Sequence, residues 1–392
     1  MKALTWQGKR QLSVEEVPDP QIQEPTDAII RVTSTAICGS DLHLYEVMGP
    51  YLNRGDILGH EPMGIVEEVG SAVTNIKPGD KVVVPFNIAC GDCFMCNLGL
   101  QSQCETTQVR EKGSGAALFG YTELYGSVPG GQAEYLRVPF ANYGPVKATN
   151  PDIPDERYLF LSDILPTAWQ AVDYASVPDG GTLAVFGLGP VGQLASRIGR
   201  HLGHRVIGIE RVPERRAMAE RHGIATLDWN RNCAEDLREM TSGRGPDAVV
   251  DAVGMESHGS PVAAAAQAAV GVLPHPVAKL AMSHAGVDRL ATLHTAIDAV
   301  RRGGTVSLSG VYGGEADPMP MMKMFDKQVQ LRMGQCNVRR WIPDLLPLVE
   351  DDGDPLALSD LVTHRVPLDR APEMYGIFQK KEEGCIKVVL HP

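Results

Sequence analysis

The stretch TLAVFGLGPVG, running from Thr182 to Gly192, decides what kind of fold this chain adopts. Thr182–Phe186 is a short apolar, β-branched run and reads as a strand. It passes directly into Gly187-Leu188-Gly189-Pro190-Val191-Gly192, and the residues from Val191 to about Leu202 read as a helix. A lone G-x-G-x-x-G is weak evidence, but this one lies between a strand and a helix. A second strand, Arg205–Ile209, ends at Glu210, about 20 positions beyond the glycines, where an acidic side chain meets the ribose 2′-hydroxyl of a dinucleotide. The glycines let backbone approach a pyrophosphate, and the helix N-terminus stabilises its charge. A purely structural use of the glycines is the competing reading. Glu210 would accept hydrogen bonds from a 2′-hydroxyl and repel a 2′-phosphate, which favours NAD. Arg211 and Arg215 nearby keep NADP as the lesser alternative.

The same texture continues outward. Asp247–Asp251 and Thr305–Leu308 read as further strands ending near Gly254 and Gly310, and strand–helix alternation from about residue 165 to 330 indicates a parallel sheet. The segment Gly254–Arg289 exceeds the usual α/β connection of about 2–6 residues plus a helix. It is either an insertion of no consequence or a flap or oligomer contact, and its His258, His275 and His284 read as surface residues. Met319–Met324 reads as core or interface filler.

Residues 1 to about 150 read as short strands separated by turns: Ala28–Val32, Gly64–Val69 and Lys81–Val84, with Lys77-Pro78-Gly79-Asp80 as one turn signal. Within them Ile37–Glu61 carries Cys38 and His60, ligands of the kind zinc takes, beside Ser40, Asp41, His43 and Glu61. A catalytic zinc keeps three protein ligands and one open position, so a third ligand must come from elsewhere. The plain alternative is a buried Cys and a satisfied His. Cys90, Cys93, Cys96 and Cys104 can wrap one tetrahedral zinc with no open position, which is a structural site. Their spacing does not match the ferredoxin run, and a redox pair would leave two cysteines unexplained. Cys233, Cys336 and Cys385 read as small apolar residues.

Asp163, in Leu161–Gln170, could by itself be a helix cap or turn residue. The tail from about 331 has mixed short elements, with a helix expected at Arg370–Gln379 and a last strand at Ile386–Leu390. It should fold back on the N-terminal part. Nothing in it calls for catalysis, although Arg339 or Arg340 could reach a phosphate.

The totals narrow the class. With 392 residues, 43% hydrophobic and 21% charged, the chain suits about two globular domains. A net charge of -12 argues against nucleic acid as a partner. No apolar run reaches the ~20 residues of a membrane helix, and the start lacks a signal-peptide core. A cytoplasmic location is expected, where eight cysteines serve as thiols or metal ligands rather than disulfides.

Taken together, Cys38-Gly39-Ser40-Asp41-Leu42-His43, Gly59-His60-Glu61, the cysteine quartet and Gly187–Gly192 resemble the zinc-dependent medium-chain alcohol dehydrogenase family over almost the whole chain. Pro85–Gly91, Gly130–Tyr135 and Leu161–Thr167 resemble its branch of glutathione-independent formaldehyde dehydrogenases and formaldehyde dismutases. In that branch Asp replaces the usual Cys as third catalytic-zinc ligand, and an insertion covers the adenine end of a tightly held NAD. One departure is Glu210, where Asp is common. The resemblance implies an α/β chain with a chaperonin-10-like (GroES-like) β catalytic domain at 1–164 carrying two zinc sites. It implies a Rossmann doubly wound NAD-binding domain at 165–330 with the insertion at 254–289, and a return to the catalytic domain at 331–392. Cys38, His60 and Asp163 would hold catalytic zinc, and the quartet structural zinc. Ser40 and His43 would relay a proton, Asp41 would orient His60, and Glu61 would ligate transiently. Thr167, Gly187, Gly189, Pro190, Val191, Gly192, Glu210, Arg211, Arg215, Val253, Gly310 and Tyr312 would contact the cofactor. The implied activity is NAD-linked oxidation of a small alcohol or aldehyde hydrate by a homodimer or homotetramer. The alternatives are a general alcohol or polyol dehydrogenase with exchangeable NAD(P), a glutathione-dependent formaldehyde dehydrogenase, a zinc-free reductase, and a non-catalytic NAD or redox sensor.

Overall fold

Strands form where the β-branched runs lie, in a computed structural model that describes residues 1–254, 290–312 and 319–392. In chain order they are β1 (Lys2–Gly8), β2 (Gln11–Glu16), β3 (Ala28–Ile37), β4 (Glu61–Val69), β5 (Lys81–Val83), β6 (Tyr135–Val138), β7 (Val146–Lys147), β8 (Thr182–Phe186), β9 (Arg205–Glu210), β10 (Ala225–Asp228), β11 (Ala248–Asp251), β12 (Thr305–Leu308), β13 (Gln330–Met333), β14 (His364–Pro367) and β15 (Val388–His391). The chain divides into two units, Met1–Pro166 with Cys336–Pro392, and Thr167–Gln335. The Gly254–Arg289 insertion, including His258, His275 and His284, lies beyond Gly254 outside the described residues.

In the second unit the described strands form a parallel sheet of order β10-β9-β8-β11-β12-β13. Parallel strands covered on both faces are apolar throughout rather than alternating. β8, β11 and β12 obey this, with nearly every residue buried. The chain order reverses between β8 and β11, and ligands of doubly wound sheets bind at that switch point, beyond the carboxyl ends of the strands. Phe186, Ile207, Val249, Leu293 and Val306 share one core, against which Met319 and Met324 pack. Met321 and Met322 are instead exposed, so only half of that methionine run fills a core.

In the first unit β3 is the axis. It pairs antiparallel with β4, β6 and β15 inside a sheet of order β14-β15-β3-β4-β5-β7. β3 runs past Val32, the expected end of the strand, as far as Ile37, because Thr35 and Ala36 pair with Pro62 and Glu61 of β4. That register sets the residues following β3 beside those preceding β4, so Cys38 and His60 become neighbours. On the other side Val388 of β15 pairs with Ile37, which seats Lys387 next to the same corner. Ile30, Val32, Val66, Val82, Phe119 and Leu136 fill the core beneath.

The helix expected around Leu161–Gln170 begins at Ile164 and runs to Ala175. Phe160–Ser162 forms a separate 3-10 turn, and Asp163 stands at the break with φ -154° and ψ -75°. A residue outside helical geometry can turn its side chain away from the helix that follows, and Asp163 does so.

Candidate functional site

The corner built by β3 and β4 brings four potential ligands together. One atom each from Cys38, His60, Glu61 and Asp163 lies within 4.8 Å of the others, and all four residues are buried. Asp163 Oδ2 is 3.2 Å from Cys38 Sγ and 3.2 Å from His60 Nε2. Ligands of one tetrahedral zinc at about 2.0–2.3 Å stand roughly 3.3–3.7 Å apart, so this spacing suits a shared ion. The other imidazole nitrogen, Nδ1, lies 3.0 Å from Asp41 Oδ1, at an angle short of a well-aligned hydrogen bond. A carboxylate on one ring nitrogen fixes the ring and leaves the other to a metal. Asp41 Oδ2 also accepts from the Cys38 N–H at 2.9 Å and from Gln132 Nε2 at 3.4 Å, and Tyr375 donates its hydroxyl to Gln132 Oε1 at 2.9 Å. Ser40 Oγ is 3.3 Å from His60 Nε2. His43 is buried one turn along the helix Asp41–Glu46.

The electrostatics of this corner call for a cation. Burial, then Asp163 and Glu61, push the Cys38 thiol up to about 12. Burial pulls His60 down, but Asp41 and Asp163 outweigh it and lift it well above its ordinary value. Burial likewise raises Glu61, against the opposing pull of Lys387. Three acidic side chains converging in a buried site are stable only with positive charge among them. The donor set therefore fits zinc. Lys387 supplies part of that charge: its ammonium bonds Glu61 Oε2, and both side chains are fully buried. Lys387 and Tyr375 carry no marked role in the sequence, and Gln132 enters there only within the Gly130–Tyr135 resemblance, with no role of its own. A Lys in a final apolar strand was the one available signal, since Lys is almost never fully buried unless paired.

The cysteine quartet also converges. Cys104 Sγ lies 3.6 Å from Cys90 Sγ and 3.9 Å from Cys93 Sγ, and one atom from each of the four lies within 4.8 Å of the rest. Tetrahedral thiolates at about 2.3 Å from zinc are about 3.8 Å apart, whereas a disulfide needs about 2.05 Å. The backbone N–H groups of Cys90 and Glu105 donate to Cys104 and Cys93, both at 3.3 Å. Burial raises Cys104, but the donors of Cys90, Thr107 and Thr106 outweigh it and bring it down to about 6, toward the thiolate that zinc binds. Arg339 is half-buried with its guanidinium over the Tyr143 ring, and Arg340 stacks over Trp341.

In the second unit the glycine turn has the required form. Gly187 has φ +84°, and a Cβ on Gly192 would lie 1.7 Å from Gly187 O. Only a bare backbone lets the helix Pro190–His201 start this close to β8. Gly189 precedes that helix and Pro190 opens it, with Val191 following. The Glu210 carboxylate folds back on the turn: Oε2 accepts from Leu188 N at 2.9 Å, and Oε1 from Arg211 N at 2.7 Å and Val212 N at 3.0 Å. Arg215 is buried with Nη1 3.7 Å from Glu210 Oε2, while the Arg211 side chain is exposed. At the ends of β11 and β12, Asp251 ties three expected contacts together. It accepts from Val253 N at 2.9 Å and Tyr312 Oη at 2.6 Å through its side chain, and from Gly310 N at 2.8 Å through its carbonyl. Thr167 is half-buried on the helix Ile164–Ala175. Fully buried Gln193, which the motif does not mark, braces the turn by donating to Leu188 O and Arg215 O at 3.1 and 2.7 Å.

A GroES-like sheet with two ligand clusters, joined in one chain to a doubly wound dinucleotide sheet, defines a class of zinc dehydrogenases. Residues 24–148 match the family described as "Alcohol dehydrogenase GroES-like domain", and residues 190–273 match "Zinc-binding dehydrogenase". The chain is 43% identical to a zinc-type alcohol dehydrogenase-like protein of Bacillus subtilis, with both chains covered in full. It is 32% identical to the formaldehyde dismutase of Pseudomonas putida over 100% of this chain and 97% of that one. Among solved structures it is similar to the alcohol dehydrogenase TADH of Thermus sp. ATN1, with 34% identity, a TM-score of 0.81, and coverage of 100% and 99%. The chain belongs to the zinc-dependent medium-chain alcohol dehydrogenase family. Among the described residues no helix is long and apolar enough to cross a membrane.

Proposed function

We propose that this oxidoreductase oxidises small alcohols or aldehyde hydrates, of the size of formaldehyde hydrate, with NAD as acceptor. The observation that carries the reading is the meeting of Asp163 with Cys38 and His60 at 3.2 Å. Cys38, His60 and Asp163 would hold the catalytic zinc, the first and last bringing two negative charges to a dication. Zinc, when bound, would supply Lewis acidity toward a substrate hydroxyl, and NAD would supply the hydride acceptor. Asp41 holds the His60 ring so that Nε2 faces the ligand cluster. Ser40 Oγ, beside that nitrogen, takes the hydroxyl proton of the substrate, and His43 is its onward acceptor. The rings of Phe86 and Tyr121, centred 6.1 and 6.4 Å from the His60 ring, crowd the site and favour a small substrate. Cys90, Cys93, Cys96 and Cys104 would hold a second, structural zinc.

NAD is preferred to NADP because Glu210, at the end of β9, repels a 2′-phosphate, and buried Arg215 is engaged with Glu210. The likeness to a formaldehyde dismutase supports an aldehyde-hydrate substrate. The test is a count of zinc and retained dinucleotide in the purified protein, with initial rates on a panel of alcohols and aldehydes using NAD and NADP. The expected result is two zinc per chain and faster turnover with NAD. Asp163→Ala should lose the catalytic zinc and all turnover, and unchanged turnover in that variant would refute the assignment.

A further inference from the structure

Lys387 and Glu61 form an ion pair with both side chains at 0% exposure. Burying two charges costs several kcal/mol per ion after relaxation, and only close geometry offsets it. The pair therefore calls for a reason, and its position offers one. Lys387 precedes β15, whose pairing of Val388 with Ile37 brings the ammonium to the end of β3, where it also donates to Ile37 O at 3.1 Å. Glu61 Oε2 is held by that ammonium, while Oε1 has no hydrogen-bond partner among the described residues. Glu61 also offers an oxygen within 4.8 Å of the ligand atoms of Cys38, His60 and Asp163. A buried carboxylate with one free oxygen beside a three-ligand centre is poised to become a fourth ligand.

We propose that Lys387 is a positioning residue that holds the Glu61 carboxylate off the metal and so keeps open the ligand position that substrate needs. This rests on reading Cys38, His60 and Asp163 as the metal site. With Lys387, the group of two anionic ligands, Glu61, a dication and the ammonium is neutral. Without it, the nearest positive charge for Glu61 is the metal itself. Both the lost repulsion and the added ligand then tighten metal binding.

The experiment compares wild type, Lys387→Met and the double variant Glu61→Gln/Lys387→Met. It follows release of zinc to the chelator 4-(2-pyridylazo)resorcinol and the visible spectrum of cobalt-substituted protein with and without added alcohol. Lys387→Met should release its catalytic metal about tenfold or more slowly, since a full charge at this range is worth at least a decade in affinity. Its cobalt spectrum should shift and stop responding to alcohol. The double variant should regain wild-type release and the alcohol response. Wild-type release together with a responsive spectrum in Lys387→Met overturns the proposal. Where Lys387→Met does not fold, the double variant decides, because a neutral pair is tolerated where a lone buried charge is not. Release within about threefold of wild type supports the proposal, and release more than about tenfold faster overturns it by showing that Glu61 already carries metal. If instead wild type releases only the one zinc of the cysteine quartet, the metal-site reading fails first.

Discussion

Asp41→Asn is the most telling perturbation of the metal corner, because it keeps the shape of the side chain and removes one acceptor. The Asp41 carboxylate faces two groups that both present hydrogens, Cys38 N–H at 2.9 Å and His60 Nδ1 at 3.0 Å. An amide has one oxygen, so whichever way the substituted side chain turned, its NH₂ would oppose one of them. If it opposed His60, Nδ1 would have to give up its proton, and Nε2 would be protonated and lost as a ligand. If it opposed Cys38, a buried backbone donor would be left without a partner. Gln132, already donating to this carboxylate at 3.4 Å, offers no relief. A buried unsatisfied donor costs about 1–3 kcal/mol, which at about 1.4 kcal/mol per decade is about one to two powers of ten in zinc affinity. Loss of a residue that orients a metal-binding His typically costs a similar 10–100-fold. The assay is chelator competition that resolves the two zinc populations, with the cysteine-bound zinc as internal control and thermal melts to confirm the fold. Affinity at the catalytic site within about twofold of wild type, in a folded variant, would exclude this role for Asp41, because the geometry allows no neutral arrangement.

Gly192→Ala puts a Cβ 1.7 Å from Gly187 O, so helix and turn must separate. Dinucleotide affinity by NADH fluorescence titration should fall at least about tenfold with zinc content unchanged, and unaltered affinity would remove the turn from the binding site. Cys93→Ser should leave one zinc per chain and lower the thermal midpoint, while turnover per folded molecule is kept. A folded variant that still counts two zinc would show that the quartet does not carry metal.

The dinucleotide fold was legible in the sequence because its determinants are local. β8 and β12 end where their apolar runs end, and the glycine turn is contiguous with both the strand before it and the helix after it. The cysteine quartet was legible for the same reason, since it closes within 15 residues, from Cys90 to Cys104. Asp163 was different: alone it could equally be a cap, and only resemblance singled it out as a ligand. Its backbone leaves the helix at that one residue, a break no periodicity marks. The antiparallel register of β3 and β4, which extends beyond the Ala28–Val32 run, decides that Cys38 and His60 meet.

What the sequence could not disclose is the charge balance of the corner. Lys387 is 326 residues from Glu61 along the chain, and nothing local to either predicts that they meet. Hydrophobic pattern, turn chemistry and close cysteine spacing are written in neighbours, and they determined the dinucleotide-binding turn, its strands and the cysteine quartet. A buried ion pair is written in the register of strands distant in sequence, so only the packed structure could decide which cation faces which carboxylate.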